Sequence, residues 1–391
     1  VYARERFAFG KNWNAFLKKH FSEASVAASQ QALCAFLGLP SLAGFSFLDV
    51  GCGSGLSSLA ALRAGAEMVV SFDFDPDSVR AAQTLHAYAG SPKNWRILRG
   101  DALDPDFMQS LGKFDIVYAW GVLHHTGDMR AAVANAVLPV SDNGLLFLAL
   151  YSYTAYQNNQ VFGQPSPEEW LGIKLNYLRG GPWRRGGIIL WYIWRRYFSQ
   201  ARGNPRKLAA GLAELCSRWR NYGATSRGMN FLTDIHDWLG GWPMEFAHEA
   251  EFVRAMRAEL SMELLRMDTG RGNTEFLFRP AGGSNVWDAR LATRAARPLP
   301  GPFEHMGGAA WRAALPELSA LADTDQNPMR SPLRLQEDGQ WLCFAHCHRP
   351  SLERFGLGRY RHRGDSVLFS SSDNSNPNTN GRRYSYFLDE R

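Results

Sequence analysis

The chain has no apolar run approaching the roughly 20 residues that cross a bilayer, and it carries no internal repeat. Its five cysteines, Cys34, Cys52, Cys216, Cys343 and Cys347, are odd in number and scattered, so they form no disulfide framework. That usage fits a reducing compartment, and the expected location is the cytoplasm. Charge of one sign is not in excess: 43 Lys and Arg against 37 Asp and Glu leave +6 over 391 residues, which does not by itself indicate nucleic acid. One stretch is short of acid. From Arg179 to Arg220 the single carboxylate is Glu214, set among many arginines. The chain starts at Val1 rather than Met, so a short missing segment before it is an open expectation. At this length two to three domains are expected.

What is present begins with Phe47-Leu-Asp-Val-Gly-Cys-Gly-Ser-Gly55, a short apolar strand running into a glycine-rich turn and then a helix near Leu56. Gly51, Gly53 and Gly55 allow a sharp turn and close approach of backbone to a ligand. Their spacing is one residue tighter than the dinucleotide fingerprint. Asp49 precedes the turn, and Asp73 ends the next strand-like run about 20 residues further on, where a ribose-binding acid is expected. Asp75 competes for that role, and Asp73 is preferred because it ends the strand. Asp101 and Ala102 follow the third strand, placed for adenine. Turn formation or helix capping would explain Asp73 or Asp101 taken singly. Together with the glycine turn they point to S-adenosylmethionine.

Strand and helix signals alternate through residues 46–150: strands at Phe45–Val50, Met68–Asp73, Trp95–Arg99, Phe114–Trp120 and Leu145–Tyr151, with helices to about Ala64, near Asp77–Ala89 and near Met129–Val137. This alternation implies an α/β, mainly parallel sheet, with ligands beyond the carboxyl ends of the strands. Residues 1–45 read as helical, with Phe7, Phe9, Trp13, Phe16 and Leu17 on one face beside Lys18 and Lys19. Trp13 is either a lid residue or part of a helix packed on the domain edge. Residues 152–245 are rich in Trp, Tyr, Arg and Gly, with no clear period. A helix at Ala247–Leu260 and a strand at Thr274–Arg279 close the first domain, residues 281–300 read as a connector, and residues 301–391 hold short strand-like runs at Ser331–Gln336, Trp341–Ala345 and Ser366–Ser371.

The fourth strand leads into Trp120-Gly-Val-Leu-His-His-Thr126. The order Asp-Val-Gly-Cys-Gly-Ser-Gly, Ser-Phe-Asp-Phe-Asp-Pro, Gly-Asp-Ala, Val-Leu-His-His-Thr resembles the class I S-adenosylmethionine-dependent methyltransferases, and more closely the bacterial ubiquinone-type O-methyltransferases. Arg6–Trp13, Asp237–Glu245 and Gly272–Phe278 resemble segments of the same subgroup, so the likeness runs over residues 1–280. It implies a Rossmann-like sheet with residues 152–245 as a substrate-cap insert, while residues 301–391, outside the likeness, read from their strand-like runs as a small β-rich appendage of unassigned role. It implies further that Asp49, Gly51, Gly53 and Gly55 cradle the methionine part, Asp73 the ribose, and Asp101 and Ala102 the adenine, with Trp120 and Gly121 near the sulfonium. The likeness specifies cofactor and fold, not acceptor.

Methyl transfer to a hydroxyl needs alignment and a group to take the proton, for which a near-neutral imidazole is suited. His125 is the preferred base, with His124 structural and Tyr151 a second candidate. The acceptor reads as a small molecule or glycan precursor. The alternatives are a lipid-soluble phenol or quinone, and a non-catalytic S-adenosylmethionine-binding recognition protein. Residues 183–196, an apolar run bracketed by arginine pairs, fit either a buried cap helix or peripheral contact with the inner membrane face. A site for an anionic saccharide or phosphate is a third reading. No metal is expected, since Cys343-Phe-Ala-His-Cys-His348 fits no zinc spacing. Ser372–Gly381 is explained by turn chemistry. No nucleic-acid partner is expected, because Trp120-Gly-Val-Leu holds the place of an amino-methylating Asn-Pro-Pro-Tyr loop.

Overall fold

A computed structural model describes residues 10, 13–14, 17, 21–201, 203–225, 231–270, 272–289 and 295–389. Phe7, Phe9, Phe16, Lys18 and Lys19 of the expected N-terminal apolar face lie outside these residues. The chain divides into two compact units, residues 1–139 with 168–245, and residues 140–167 with 246–391. This partition differs from the linear one at 280 and 300 that composition suggests.

In the first unit β1 (Ser46–Val50), β2 (Met68–Asp73), β3 (Trp95–Arg99) and β4 (Phe114–Trp120) run parallel in the order β3-β2-β1-β4. The continuous apolar runs of β1 and β2 are those of strands covered on both faces, and Phe47, Leu48, Val69 and Phe72 are buried. Helices Leu56–Arg63, Pro76–Tyr88, Pro105–Ser110 and Met129–Val137 alternate with them. Their starts are written in short acids: Asp75, Asp104 and Asp128 each accept a backbone N–H from the first turn of the helix that follows. Ser22 and Ser25 form a reciprocal cap on Glu23–Leu37. The fold is therefore Rossmann-like.

The stretch that showed no clear period is largely helical, in Tyr153–Asn159, Pro167–Arg179, Pro182–Tyr197, Pro205–Thr225 and Phe231–Gly240. Three of these begin on proline, whose fixed φ suits a first helical position. Glycines inside these helices, at Gly172, Gly186, Gly187 and Gly211, disfavour a helix locally, yet the helices run through them.

In the second unit β5 (Val140–Tyr151), β7 (Asn273–Pro280) and β6 (Met262–Thr269) pair antiparallel in the order β5-β7-β6. β5 starts five residues before the expected Leu145, because Ser141, Asp142 and Asn143 extend it as a polar lead-in. β6 has no sequence signal: Met-Glu-Leu-Leu-Arg-Met is helix-favouring, and tertiary pairing overrides it. Two four-stranded antiparallel sheets follow. One is ordered β13 (Tyr360–Arg363), β14 (Ser366–Phe369), β10 (Ala310–Ala314), β9 (Glu304–Gly307); the other β12 (Gln340–Trp341), β11 (Leu333–Glu337), β15 (Tyr384–Leu388), β8 (Arg297–Pro298). Leu333, Leu335, Val367, Phe369, Tyr384 and Tyr386 share their core. The expected strand Trp341–Ala345 stops at Trp341, ahead of a bend where His346 takes φ +56°.

The connector is anchored at its start. Trp287 is fully buried, Asp288 pairs with Arg279, and the Ser284 amide donates to Asn143 Oδ1 at 3.1 Å. The β-rich region is held to β6 by buried charge: Asp389 Oδ2 lies 3.7 Å from Arg266 Nε and 3.9 Å from Arg334 Nε, and Arg334 Nη2 lies 3.7 Å from Asp268. Removing Asp389 takes away the carboxylate that faces both buried guanidiniums. Asp389→Ala is expected to cost about 3–5 kcal/mol, while Arg63→Ala, at an exposed pair, costs under about 1 kcal/mol. Denaturant midpoints of the two variants check this, and equal shifts would contradict it.

Candidate active site at the glycine turn

The turn after β1 is set by backbone geometry. Gly51, Gly53 and Gly55 have φ of +70°, +54° and +79°, a region where a side chain is strained. Each position is also closed by neighbours: a Cβ would stand 2.2 Å from Val122 Cγ2 at Gly51, 3.0 Å from the Trp13 ring at Gly53 and 3.1 Å from Ala82 Cβ at Gly55. Glycine at all three is thus demanded by the protein itself. Trp13 lies against the turn, and its neighbourhood is pinned to the next helix, with Gly10 N donating to Asp75 Oδ2 and Asn14 Nδ2 to the Asp77 carbonyl, both at 2.8 Å.

Gly51 and Cys52 N–H groups both donate to the Phe72 carbonyl, at 2.9 and 3.0 Å. Next to it, Asp73 Oδ2 accepts from Gly53 N and Oδ1 from Asp75 N, each at 2.9 Å. Asp75 is used differently, its two oxygens taking Asp77 N and Gly10 N at 2.8 Å. Of the two acids, then, Asp73 rests on the glycine turn and Asp75 caps a helix. Asp49 lies under the turn, buried, and accepts from Ser58 Oγ. Ser58 meets Ser71 at 2.7 Å, and Ser71 Oγ accepts from Trp95 Nε1 at 2.7 Å. Spacing alone had not revealed this serine relay. Burial pushes the Asp49 carboxyl up to about 7 against the pull of Ser58, with the Asp73 charge adding to the rise. Burial likewise takes Asp73 up to about 6.

Around the same strand ends, the Asp101 carboxylate accepts from Leu103 N at 3.0 Å and shapes the turn after β3. The Ala102 carbonyl accepts from Asn135 Nδ2 at 2.9 Å. Trp120 ends β4. Gly121 has φ +75°, and a Cβ built there would meet nothing within 4 Å. In contrast to the three turn glycines, it faces open space.

The two histidines occupy a single 3-10 turn, Leu123–His125, with ring centroids 4.5 Å apart. His124 is fully buried. His125 Nδ1 lies 2.7 Å from the Pro243 carbonyl. A carbonyl only accepts, so the proton is on Nδ1 and Nε2 carries the lone pair. The segment Trp242–Glu245 closes along this loop: Glu245 N donates to the His124 carbonyl and Met129 N to Glu245 Oε1, both at 2.9 Å. The expected near-neutral imidazole is not what the structure holds. Burial takes His125 down to about 3, opposed by the Pro243 bond and assisted by the Lys174 charge. His125 is therefore a neutral acceptor throughout the physiological range. Tyr151 belongs to the second unit, ending β5 with its ring near Tyr156 and Phe246.

Lys174 was not singled out in the sequence. It is fully buried on Pro167–Arg179, donates to the Trp238 carbonyl and lies 3.8 Å from the centroid of the Trp238 ring. The signal was available: Trp170, Lys174 and Tyr177 are spaced at 4 and 3 and lie on one buried stripe. Among the described residues no group of three or more His, Cys, Asp and Glu could hold a metal.

A family model described as a methyltransferase domain matches residues 48–146. Over 113 residues the chain is 35% identical to the ubiquinone biosynthesis O-methyltransferase of Methylobacterium nodulans, covering 29% of this chain and 43% of that one. The protein of the same name from Xanthomonas euvesicatoria pv. vesicatoria is 31% identical over 113 residues, 29% of this chain and 46% of the other. The chain thus spans less than half the length of these relatives, and the matched stretch is narrower than residues 1–280. Among solved structures, PKMT2 from Rickettsia typhi in complex with AdoHcy aligns with a TM-score of 0.45 and 13% identity, over 77% of this chain and 60% of that one.

The glycine turn, the acid on it and the open face at Gly121 fit S-adenosylmethionine, which brings two positive groups to two carboxyls that burial disfavours as anions. Without ligand, Asp49 binds a proton in the folded state between about pH 4 and 7 that the unfolded chain releases, so its contribution to stability falls as pH rises through that window. Asp49→Asn removes this dependence. The melting temperature of the variant minus that of the wild type is expected to increase from pH 5 to pH 8, and a difference that stays constant or falls would contradict the assignment.

Proposed function

We propose that the chain is an S-adenosylmethionine-dependent methyltransferase that O-methylates a hydroxyl group. The observation that carries this reading is the Asp73 carboxylate held on the Gly53 amide of the turn, beside a β4 loop that opens at Gly121. When bound, S-adenosylmethionine supplies an electrophilic methyl group on sulfur. In this reading Asp73 holds the ribose hydroxyls through its remaining lone pairs, and Asp101 with Ala102 borders the adenine. Asp49 and the glycine turn face the methionine end. Trp120 and Gly121 flank the reacting carbon, and His125 takes the acceptor's proton at Nε2. The acceptor oxygen must stand in line with the carbon–sulfur bond, so positioning supplies much of the rate.

Two acceptor classes fit the chemistry: a polar metabolite or glycan precursor, and a lipid-soluble phenol or quinone. The surface of the helical insert favours the second. Helix Pro182–Tyr197 has no buried residue, Trp183 is 95% exposed, and Leu190 and Trp194 are exposed beside Arg184, Arg185, Arg195 and Arg196. Leu208, Leu212 and Trp219 of Pro205–Thr225 are exposed as well. Such a surface suits an anionic bilayer face, with aromatic rings at headgroup depth and arginines on phosphate. Among the described residues no helix is long and apolar enough to cross a membrane. The relatives' names, which refer to ubiquinone biosynthesis, favour the same class.

Incubation with methyl-labelled S-adenosylmethionine and extract of the source cells, followed by partition, tests the activity. Label is expected in the organic fraction, and an Asp73→Ala control is expected to incorporate at least about 100-fold less, a loss of about 2.7 kcal/mol. Label in the aqueous fraction would transfer the acceptor to the polar class. Binding of S-adenosylmethionine with no label anywhere would favour a recognition protein.

The membrane reading has its own check. Sedimentation with phosphatidylglycerol-containing vesicles is expected to carry the wild type down, and to fail with phosphatidylcholine alone. Trp183→Ala combined with Trp194→Ala is expected to weaken that binding. Equal sedimentation with both lipids would contradict an electrostatic contribution.

A further inference from the structure

Residues 301–391 lie outside the methyltransferase likeness, and the methyl-transfer scheme gives them no part. Several of their contacts meet at one short element. Helix Tyr153–Asn159 follows β5 directly and has seven residues, too few for a helix that is stable on its own. Its two buried side chains, Ala155 and Asn158, both meet the β-rich region. Ala155 packs with Ala310, Phe344, Cys347 and Leu352. Asn158 Oδ1 accepts from His348 N at 3.3 Å and from Cys347 Sγ at 3.2 Å. Between them, Gln157 Oε1 accepts from Arg359 Nη2. Arg359 is buried, and its Nη1 donates to the Gly356 carbonyl at 2.8 Å. The start of the helix is fixed from the other side: Ser152 caps it, and the Ser152, Thr154 and Thr274 hydroxyls all donate to buried Glu249. The same segment carries rings. Tyr153 stacks on His248 with centroids 3.9 Å apart, and Tyr156 meets Phe246 at 5.0 Å. Tyr151, ending β5, meets both Tyr156 and Phe246. None of these five residues is buried.

We propose that the β-rich region is a positioning element for acceptor binding: through Arg359, Cys347 and His348 it holds helix Tyr153–Asn159, so that the rings after β5 present a fixed ledge to an aromatic acceptor. The part concerning the acceptor rests on the methyltransferase reading above. Ligands of α/β sheets sit beyond the carboxyl ends of the strands, and Tyr151 is the carboxyl end of β5. The groups beside the rings favour a planar ring over a polyol. Ser152 and Thr154 are already bonded to Glu249, Gln157 to Arg359, and Asn158 to the Cys347–His348 turn. Plain packing of the region against the helix is the competing account. It needs only the apolar contacts of Ala155, and has no use for a buried guanidinium that reaches a half-buried glutamine. That bond is charge-assisted, so losing its acceptor loosens the helix at the cost of an unmade buried donor.

The test turns on Gln157. Gln157→Met keeps length and helix propensity but accepts nothing, whereas Gln157→Glu keeps the acceptor. The first readout is amide hydrogen exchange and requires no acceptor molecule. In the wild type, residues 153–159 are expected to exchange with the same denaturant dependence as β13, as one cooperative unit. Opening of the helix by itself overturns the proposal, and this measurement needs no variant to fold. In Gln157→Met the exchange of 153–159 is expected to speed up about 10-fold, with β6 and β7 unchanged, and in Gln157→Glu to stay at the wild-type rate. The second readout is the initial rate of label transfer against the amount of cell extract. Half-saturation by the acceptor is expected to rise about 10-fold in Gln157→Met, with the maximal rate and half-saturation by S-adenosylmethionine within about 2-fold of the wild type. Val367→Ala, a core truncation in the same region, is the control for general loosening. It is expected to lower the denaturant midpoint and leave acceptor half-saturation in place. Unchanged exchange in Gln157→Met, faster exchange with unchanged acceptor half-saturation, or a rise shared by Val367→Ala overturns the proposal. Label found in the aqueous fraction overturns the aromatic acceptor. Absence of label from every form, wild type included, would sink the methyltransferase reading, while exchange still decides whether the β-rich region holds the helix.

Discussion

The hydrogen bond from the Gly53 amide to the Asp73 carboxylate is the constraint on which the site depends. It joins the turn after β1 to the end of β2, and it forms only because three consecutive odd positions adopt positive φ. Around it the other pieces take their places: Val122 of the β4 loop closes on Gly51, Trp13 on Gly53 and Ala82 on Gly55. The glycines serve packing as much as ligand approach. A side chain at any of them would displace a neighbouring element before it met a cofactor.

That geometry has an electrostatic consequence. Asp49 and Asp73 are both largely buried and disfavoured as anions, and the Asp73 charge adds to the rise at Asp49. Neither has a lysine or arginine partner among the described residues. Such a pair is poised for a ligand that brings positive charge, and a sulfonium with an α-ammonium group does so. The histidine turn Leu123–His125 is biased the other way, because burial keeps its imidazoles neutral. The carboxyls and the imidazoles are thus both held toward their uncharged forms by one physical cause, the removal of water.

Much of the first unit was legible in the sequence because its elements are punctuated locally. Asp75, Asp104 and Asp128 cap the helices that the apolar pattern places after them, and Met68–Asp73, Trp95–Arg99 and Phe114–Trp120 have the bounds expected of buried strands. β6 was missed because its residues favour a helix and only its partner β7 makes it a strand. The helices of residues 152–245 were obscured by glycines within them, Gly172, Gly186, Gly187 and Gly211, which read locally as breaks. At the candidate site the sequence shows residue types and their order, not their environments. Asp73 ends its strand and Asp75 opens the next helix, both readable locally, whereas the burial of Lys174 and the contacts of His125 and Lys174 with Pro243 and Trp238 are set by segments distant in sequence.

The central claim is that the glycine turn and Asp73 together form a site for a positively charged cofactor. Calorimetric titration of the chain with S-adenosylmethionine at pH 6, in buffers of different ionisation enthalpy, measures it most directly. The account predicts saturable binding with net release of protons, because the cofactor's positive charge favours the ionised carboxylates, and less release with S-adenosylhomocysteine, which lacks the sulfonium charge. Binding of both ligands with identical proton exchange, or no binding at all, would contradict it.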